Sequence, residues 1–157
     1  MSDGNYDPAM WRQLNIPANQ LLKELNFVAH LDLTMASRQY VADQFLSATN
    51  LITDCPDALE SITFFCWVAP GFQQIMGCLH SMGAEFIWLR TTLLRKSCLR
   101  RVRWLWGTNM AHAQFASHRT ALDAFVQSKL RGLQEGILEL GIWGNEDTTL
   151  GEWLRRT

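Results

Sequence analysis

No stretch of this 157-residue sequence approaches the ~18 uncharged apolar residues that a membrane-spanning helix needs. The greasiest segment, 75–89, is interrupted by His80, Gly83 and Glu85. Charge of one sign is missing too: 14 Lys and Arg against 15 Asp and Glu leave a net charge of −1, so the whole chain makes no electrostatic case for nucleic acid. The four cysteines, Cys55, Cys66, Cys78 and Cys98, form no CxxC pair and follow no secretory signal, which excludes a disulfide framework and points to an intracellular, reduced protein. Catalytic signatures are absent: there is no Gly-rich phosphate loop, GxSxG or HExxH. His112 and His118, six apart, do not share a helix face, and Cys66 has no charge within a turn to lower its pKa. No enzyme, cofactor or metal site is therefore expected. Strand signals are read as scarce, without sustained period-two alternation, an Asn-Gly hairpin turn or an internal repeat.

What the sequence does hold is apolar bulk. Apolar residues make up 48% and charged ones only 18%, with seven Trp, eight Phe and six Met. One domain of this length buries roughly two-thirds of its unfolded surface, and this load suggests more apolar surface than a monomer hides. The spacing predicts helices throughout. Asp7-Pro8 opens a short one to about Leu14, and Pro17 restarts the chain before Leu21, Leu22, Leu25 and Val28 at helical spacing. A third runs from about Thr34 to Ile52, with Val41, Phe45, Ala48 and Ile52 on one face.

Pro56, with Asp57 and Glu60 in the first turn, opens the most informative segment. Ala58, Ile62, Phe65, Ala69, Phe72, Met76 and Leu79 are separated by alternating steps of four and three, the seam of a helix lying along a partner. Pro70 falls inside it and should bend it. Ser81-Met82-Gly83-Ala84 supplies a turn, after which Ile87, Leu94, Cys98, Val102 and Leu105 form a second arm, so the expected unit is an αα-hairpin. Gly107 marks a break. Phe115, Ala121, Leu122, Phe125, Val126 and Leu130 continue as a helix, and Leu133–Ile142 forms the last one, ending at Gly144.

Arg90, Arg95, Lys96, Arg100, Arg101 and Arg103 stand among residues 86–105 without an acid, and Lys96, Arg100 and Arg103 follow i, i+4, i+7. They are the candidate contacts for a polyanion; the plainer reading is a solvated helix surface whose arginines pair with acids elsewhere. Cys66 and Cys78 beside the seam are either small buried hydrophobes or thiols facing a symmetry mate. Trp143 is either the last core residue of its helix or an anchor between subunits.

The order of these features resembles a known family. Asp7-Pro8, a helix over Arg38–Ile52, Ala58-Leu59 leading to Cys66-Trp67, a hairpin, Asn109-Met110 and Gly141-Ile142-Trp143 follow the order and spacing of the core (capsid) protein of hepadnaviruses, particularly of their non-enveloped fish relatives, the nackednaviruses. The similarity extends over residues 7–143. It implies an all-α assembly domain, residues 1–144, whose hairpins pair as a four-helix bundle in a homodimer and whose dimers close into an icosahedral shell. Ile62, Phe65, Cys66, Ala69, Phe72, Met76, Leu79, Ile87, Leu94 and Cys98 would then form the dimer interface. Trp143, with Leu150 or Trp153, would form the contact between dimers. Three departures stand out: the family's Pro-rich, Tyr-containing segment is missing, residues 84–108 are longer than the hepatitis B pattern, and Pro70 is foreign to a straight spike helix.

The family's arginine-rich tail, which binds viral nucleic acid, is absent, and residues 145–157 are expected to be the start of a linker towards such a tail. The resemblance places the protein in the virion and the host-cell cytoplasm, with the nucleus as a further compartment. The rival expectation is a non-enzymatic all-α interaction module that grips a partner helix.

Overall fold

A computed structural model describes residues 22–31, 38–68, 71–108, 110, 112–133 and 136–142. Within them the chain alternates strand and helix: β1 (Glu24–Leu31), α1 (Arg38–Asp54), β2 (Ser61–Val68), α2 (Phe72–Ser81), α3 (Gly83–Arg95), β3 (Arg101–Gly107), α4 (His112–Lys129) and β4 (Leu138–Ile142). All neighbouring strands are parallel, in the order β1-β2-β3-β4. The expected all-α hairpin is therefore corrected to an α/β fold.

Period-two patterning marks β1 and the start of β3, whereas β2 is buried on both faces. Leu25, Phe27, Ala29 and Leu31 of β1 lie opposite Ile62, Phe64, Cys66 and Val68 of β2. Val102, Trp104 and Trp106 of β3 continue the same rows, and Leu138, Leu140 and Ile142 of β4 complete them. These residues share one face because side chains alternate across a strand. Adding each new strand on the same side of the last, through right-handed crossovers, puts every intervening helix over that one face. Phe45 of α1 and Phe86 of α3 both pack on Trp104, and Trp106 donates from its indole Nε1 to Asp123 of α4 at 2.7 Å.

Strands begin at residues 24, 61, 101 and 138, so the fold repeats every 37 to 40 residues. Backbone hydrogen bonds repeat with it. The Lys23 carbonyl accepts from the Glu60 and Ser61 amides, and the Glu60 carbonyl accepts from Arg100 and Arg101 in the same way. The recurrence lies in strand spacing and in these two junctions. At the outer edge of β1 the Gln44 side chain stands in for a further strand, accepting from the His30 amide at 3.0 Å and donating to its carbonyl at 3.3 Å. Satisfying those groups internally blunts an edge otherwise open to pairing.

Helices α1 and α4 lie close to where the spacing places them. The rest of the expected hairpin is redistributed. Its first arm becomes β2 followed by α2, and its second becomes α3 followed by β3. The predicted turn at Ser81–Ala84 survives as a joint at Met82, whose amide binds the Leu79 carbonyl while its own carbonyl accepts from Phe86. Leu25 and Val28, read as helical, lie in β1, and the expected last helix is β4. Ala69, Pro70, the segment before residue 22 and everything after Ile142 lie outside the described residues.

Trp104 sits at the centre of the core, fully buried, with ring centroids 4.9 Å from Phe64, 5.8 Å from Phe45 and 5.9 Å from Trp106. Its buried indole nitrogen has no hydrogen-bond partner among the described residues, a state that costs free energy. Trp104→Ala is expected to destabilise the chain by about 3–5 kcal/mol through lost packing and a cavity. Trp104→Phe, which removes the unpartnered donor along with one ring, is expected to lose less than half as much. Urea unfolding of both variants checks this, and equal losses would contradict the assignment.

Candidate interaction surface

With the helices stacked on one face, the opposite face of the sheet is free of helices among the described residues. Adjacent strands lay their alternate side chains across it in rows. Asn26, Thr63, Arg103 and Glu139 form one row, Val28, Phe65, Leu105 and Gly141 the next, and His30, Trp67 and Gly107 the third. Glu24, His30, Arg101 and Glu139 are exposed, and Asn26, Val28, Trp67, Arg103, Leu105 and Gly141 are half-buried. Thr63 and Phe65, in the middle, are buried, and neither Phe65 nor Trp67 is free of contacts. The face thus has a filled centre and an exposed rim. Gly141 fits the Leu105 side chain closely: a β-carbon there would come within 3.0 Å of it.

The rim is electrostatically organised. Arg101 contacts both oxygens of Glu139, from Nε at 3.1 and 3.0 Å, and reaches Oε2 from Nη2 at 2.9 Å. Arg103 lies opposite Glu139 with its Nε 3.6 Å from Oε2. These groups are partly exposed, so the pairing orients the side chains more than it stabilises the fold.

The candidate polyanion contacts are not brought together. Lys96 is buried at the end of α3, where its ammonium donates to the Cys55 carbonyl at 2.6 Å and, more distantly, to that of Thr53, closing the C-terminal end of α1. Asp57 lies 3.9 Å away. Arg103 is paired on the sheet, and of the three only Arg100 is exposed without an ion-pair partner among the described residues. The i, i+4, i+7 spacing has no helical meaning here because α3 ends at Arg95 and β3 begins at Arg101.

The candidate dimer interface separates into three groups. Ile62, Phe65 and Cys66 are buried in β2, and Leu79 of α2 is buried in the same core, with Phe72 and Met76 half-buried against it. Ile87 and Leu94 of α3 and Cys98 beyond it are exposed. Ala69, Trp143, Leu150 and Trp153 fall outside the described residues. Cys66 is fully buried in the core cluster, in register with Ala29 of β1.

Sequence reasoning singled out Arg103 as a polyanion contact but missed that Arg101, Arg103 and Leu105 share the outward face of one strand. Its signal was the alternation of Arg101-Val102-Arg103-Trp104, which ends where Leu105 follows Trp104. Among the described residues no cluster of three His, Cys, Asp or Glu could hold a metal ion, and no helix is long and apolar enough to cross a membrane. The chain matches no family model, no curated protein and no solved structure.

Burial pushes the Cys55 thiol up to about 11, with Lys96 opposing the shift, and also raises Cys66 and Cys78. A thiol reagent at about pH 8 should therefore modify Cys98 rapidly and the other three only after unfolding; fast labelling of Cys66 would contradict the fold. The unfolded Cys55 thiol ionises near 9.0 and the folded one near 11. Its contribution to stability is complete below pH 9 and should be lost as pH rises from 9 towards 11, which thermal melts of the chain and of Cys55→Ala across that range can measure.

Proposed function

We propose that this chain is a non-catalytic protein-interaction module, a short solenoid of strand-and-helix units that meets its partner with the helix-free face of the sheet. The strand order carries this reading. Open α/β sheets bind small molecules in the crevice at the carboxyl ends of the strands, where the order of strands reverses. The order β1-β2-β3-β4 does not reverse, so the described sheet lacks the place where such enzymes build their sites.

Repeat solenoids instead use extended surfaces made by equivalent positions of successive units. Leucine-rich repeats also place a strand and a helical segment in each unit, though their units run to about 20–29 residues, shorter than the 37 to 40 here. The rim of His30, Arg101, Arg103 and Glu139 around half-buried Trp67 and Leu105 provides charged specificity around an apolar interior, the usual anatomy of a protein interface.

Self-assembly as a hepadnavirus-like capsid protein, in virion and host cytoplasm, is the second reading. It retains the motif order but loses the helical hairpin through which it was to act. Its remaining support is the exposure of Ile87, Leu94 and Cys98, three residues assigned to subunit contacts.

A photo-crosslinking amino acid placed at Arg101 or His30, with Ala113 on α4 as the control, tests the first reading in cells that express the protein. A discrete covalent adduct is expected from the sheet positions alone. Equal adducts from the control position, or none from the sheet, would count against it. Sizing the purified chain tests the second reading, since particles of hundreds of subunits would favour the shell over the module.

A further inference from the structure

Helix α3 is apolar on two sides. Phe86, Leu89 and Leu93 are buried against the core, yet Ile87, Trp88 and Leu94 on the outer side are 65%, 45% and 48% exposed. They make up three of the four large hydrophobics exposed among the described residues, the other being Tyr40. Ala84, Thr91 and Arg95 are exposed on the same outer side. Isolated exposed apolar residues are ordinary, but a contiguous stripe rimmed by charge marks a contact surface.

The stripe is self-complementary. At about 100° and 1.5 Å per residue, Ile87 and Leu94 lie about 40–60° to one side of Thr91, and Trp88 and Arg95 about 40–60° to the other. Along the axis, Ile87 and Trp88 precede Thr91 by about 6 and 4.5 Å, while Leu94 and Arg95 follow it by about 4.5 and 6 Å. A two-fold axis beside Thr91, with the helices antiparallel, keeps each flank on its own side and inverts the axial order.

It therefore sets Ile87 against the partner's Leu94 and Trp88 against the partner's Arg95, an apolar pair on one flank and a cation over an indole on the other. Glu85, on the same flank as Trp88, falls within about 3 Å along the axis of the partner's Arg95. Neither Glu85 nor Arg95 has an ion-pair partner among the described residues. Thr91, small and with its hydroxyl turned back onto the Ile87 carbonyl, leaves the helices room to approach at the axis.

We propose that the outer stripe of α3 docks a second copy of this chain, forming an antiparallel two-fold dimer centred on Thr91. A parallel pair would exchange the flanks, bringing Arg95 against the partner's Arg95 and carrying the two Glu85 carboxylates away from them to opposite sides, so the charges select the antiparallel arrangement. The dimer forms on the helix layer and does not use the opposite face of the sheet, so it is independent of the partner-binding role proposed for that face. A single helix pair of this length gives a small interface, and the expected dissociation constant is on the order of 10–100 μM.

Sedimentation of the full chain over a concentration series reads the association directly. Trp88→Glu is expected to abolish it. Arg95→Glu should weaken it about tenfold, and adding Glu85→Arg should restore it to within about threefold, because the exchanged charges meet again. Thr91→Cys in a Cys98→Ser background should give a covalent dimer on mild oxidation, the remaining cysteines being buried. All of these sites are exposed or half-buried, and an unchanged circular dichroism spectrum confirms that each variant folds. A chain that remains monomeric across the series, a dimer indifferent to Trp88→Glu, or an Arg95→Glu defect that Glu85→Arg fails to rescue overturns the proposal.

Discussion

Sequential parallel pairing is the constraint on which the rest of this structure depends. Each strand joins the sheet beside its predecessor, and right-handed crossovers then leave the helices no choice of side. The two faces acquire different jobs from that moment. One must be filled with large apolar side chains under a helix layer, and Trp104, Phe64, Phe45 and Phe86 fill it. The other carries the alternate residues of every strand, including the arginines and Glu139 that share a row or lie diagonally across it. Among the described residues the same constraint gives a strand order without a reversal.

Secondary contacts reinforce the pairing where it is weakest. The Gln44 amide closes the outer edge of β1, and the Lys96 ammonium closes the C-terminal end of α1 while tying it to the end of α3. Asp123 joins β3 to α4 by accepting from Trp106, and it also pairs with Arg119 on its own helix. Each bridge uses a polar side chain to hold backbone or indole groups whose burial would otherwise be unfavourable. The carbonyl contacts at Lys23 and Glu60 repeat one docking geometry at the β1–β2 and β2–β3 junctions.

Part of this fold was legible and part was not, for identifiable reasons. Helices α1 and α4 declare themselves because each buries one face and exposes the other. Strand β2 does not: Ile62, Thr63, Phe64, Phe65 and Cys66 are all buried, and a run apolar on both faces has no period to read. Joined to Phe72, Met76 and Leu79, it mimicked a heptad seam that spans two elements. Strand β3 was legible in its alternation, but its arginines drew attention as charge and not as pattern. The recurrence of Leu25-x-Phe27, Ile62-x-Phe64, Val102-x-Trp104 and Leu138-x-Leu140 was the signal of the repeat. For the candidate site, neither buried Lys96 nor the paired state of Arg103 follows from local sequence, because the Cys55 carbonyl and Glu139 that hold them are distant in the chain. The exposure of Ile87 and Leu94 was anticipated only as a subunit contact of a different architecture.

Cross-strand proton contacts around Phe64, measured by nuclear magnetic resonance on labelled protein, test the central claim most directly. The account predicts that backbone protons near Phe64 lie close to those of both Phe27 and Trp104, with extended-chain sequential contacts from Ser61 to Val68. An unbroken series of helical i, i+3 contacts through residues 61–68, without contacts to β1 or β3, would contradict it.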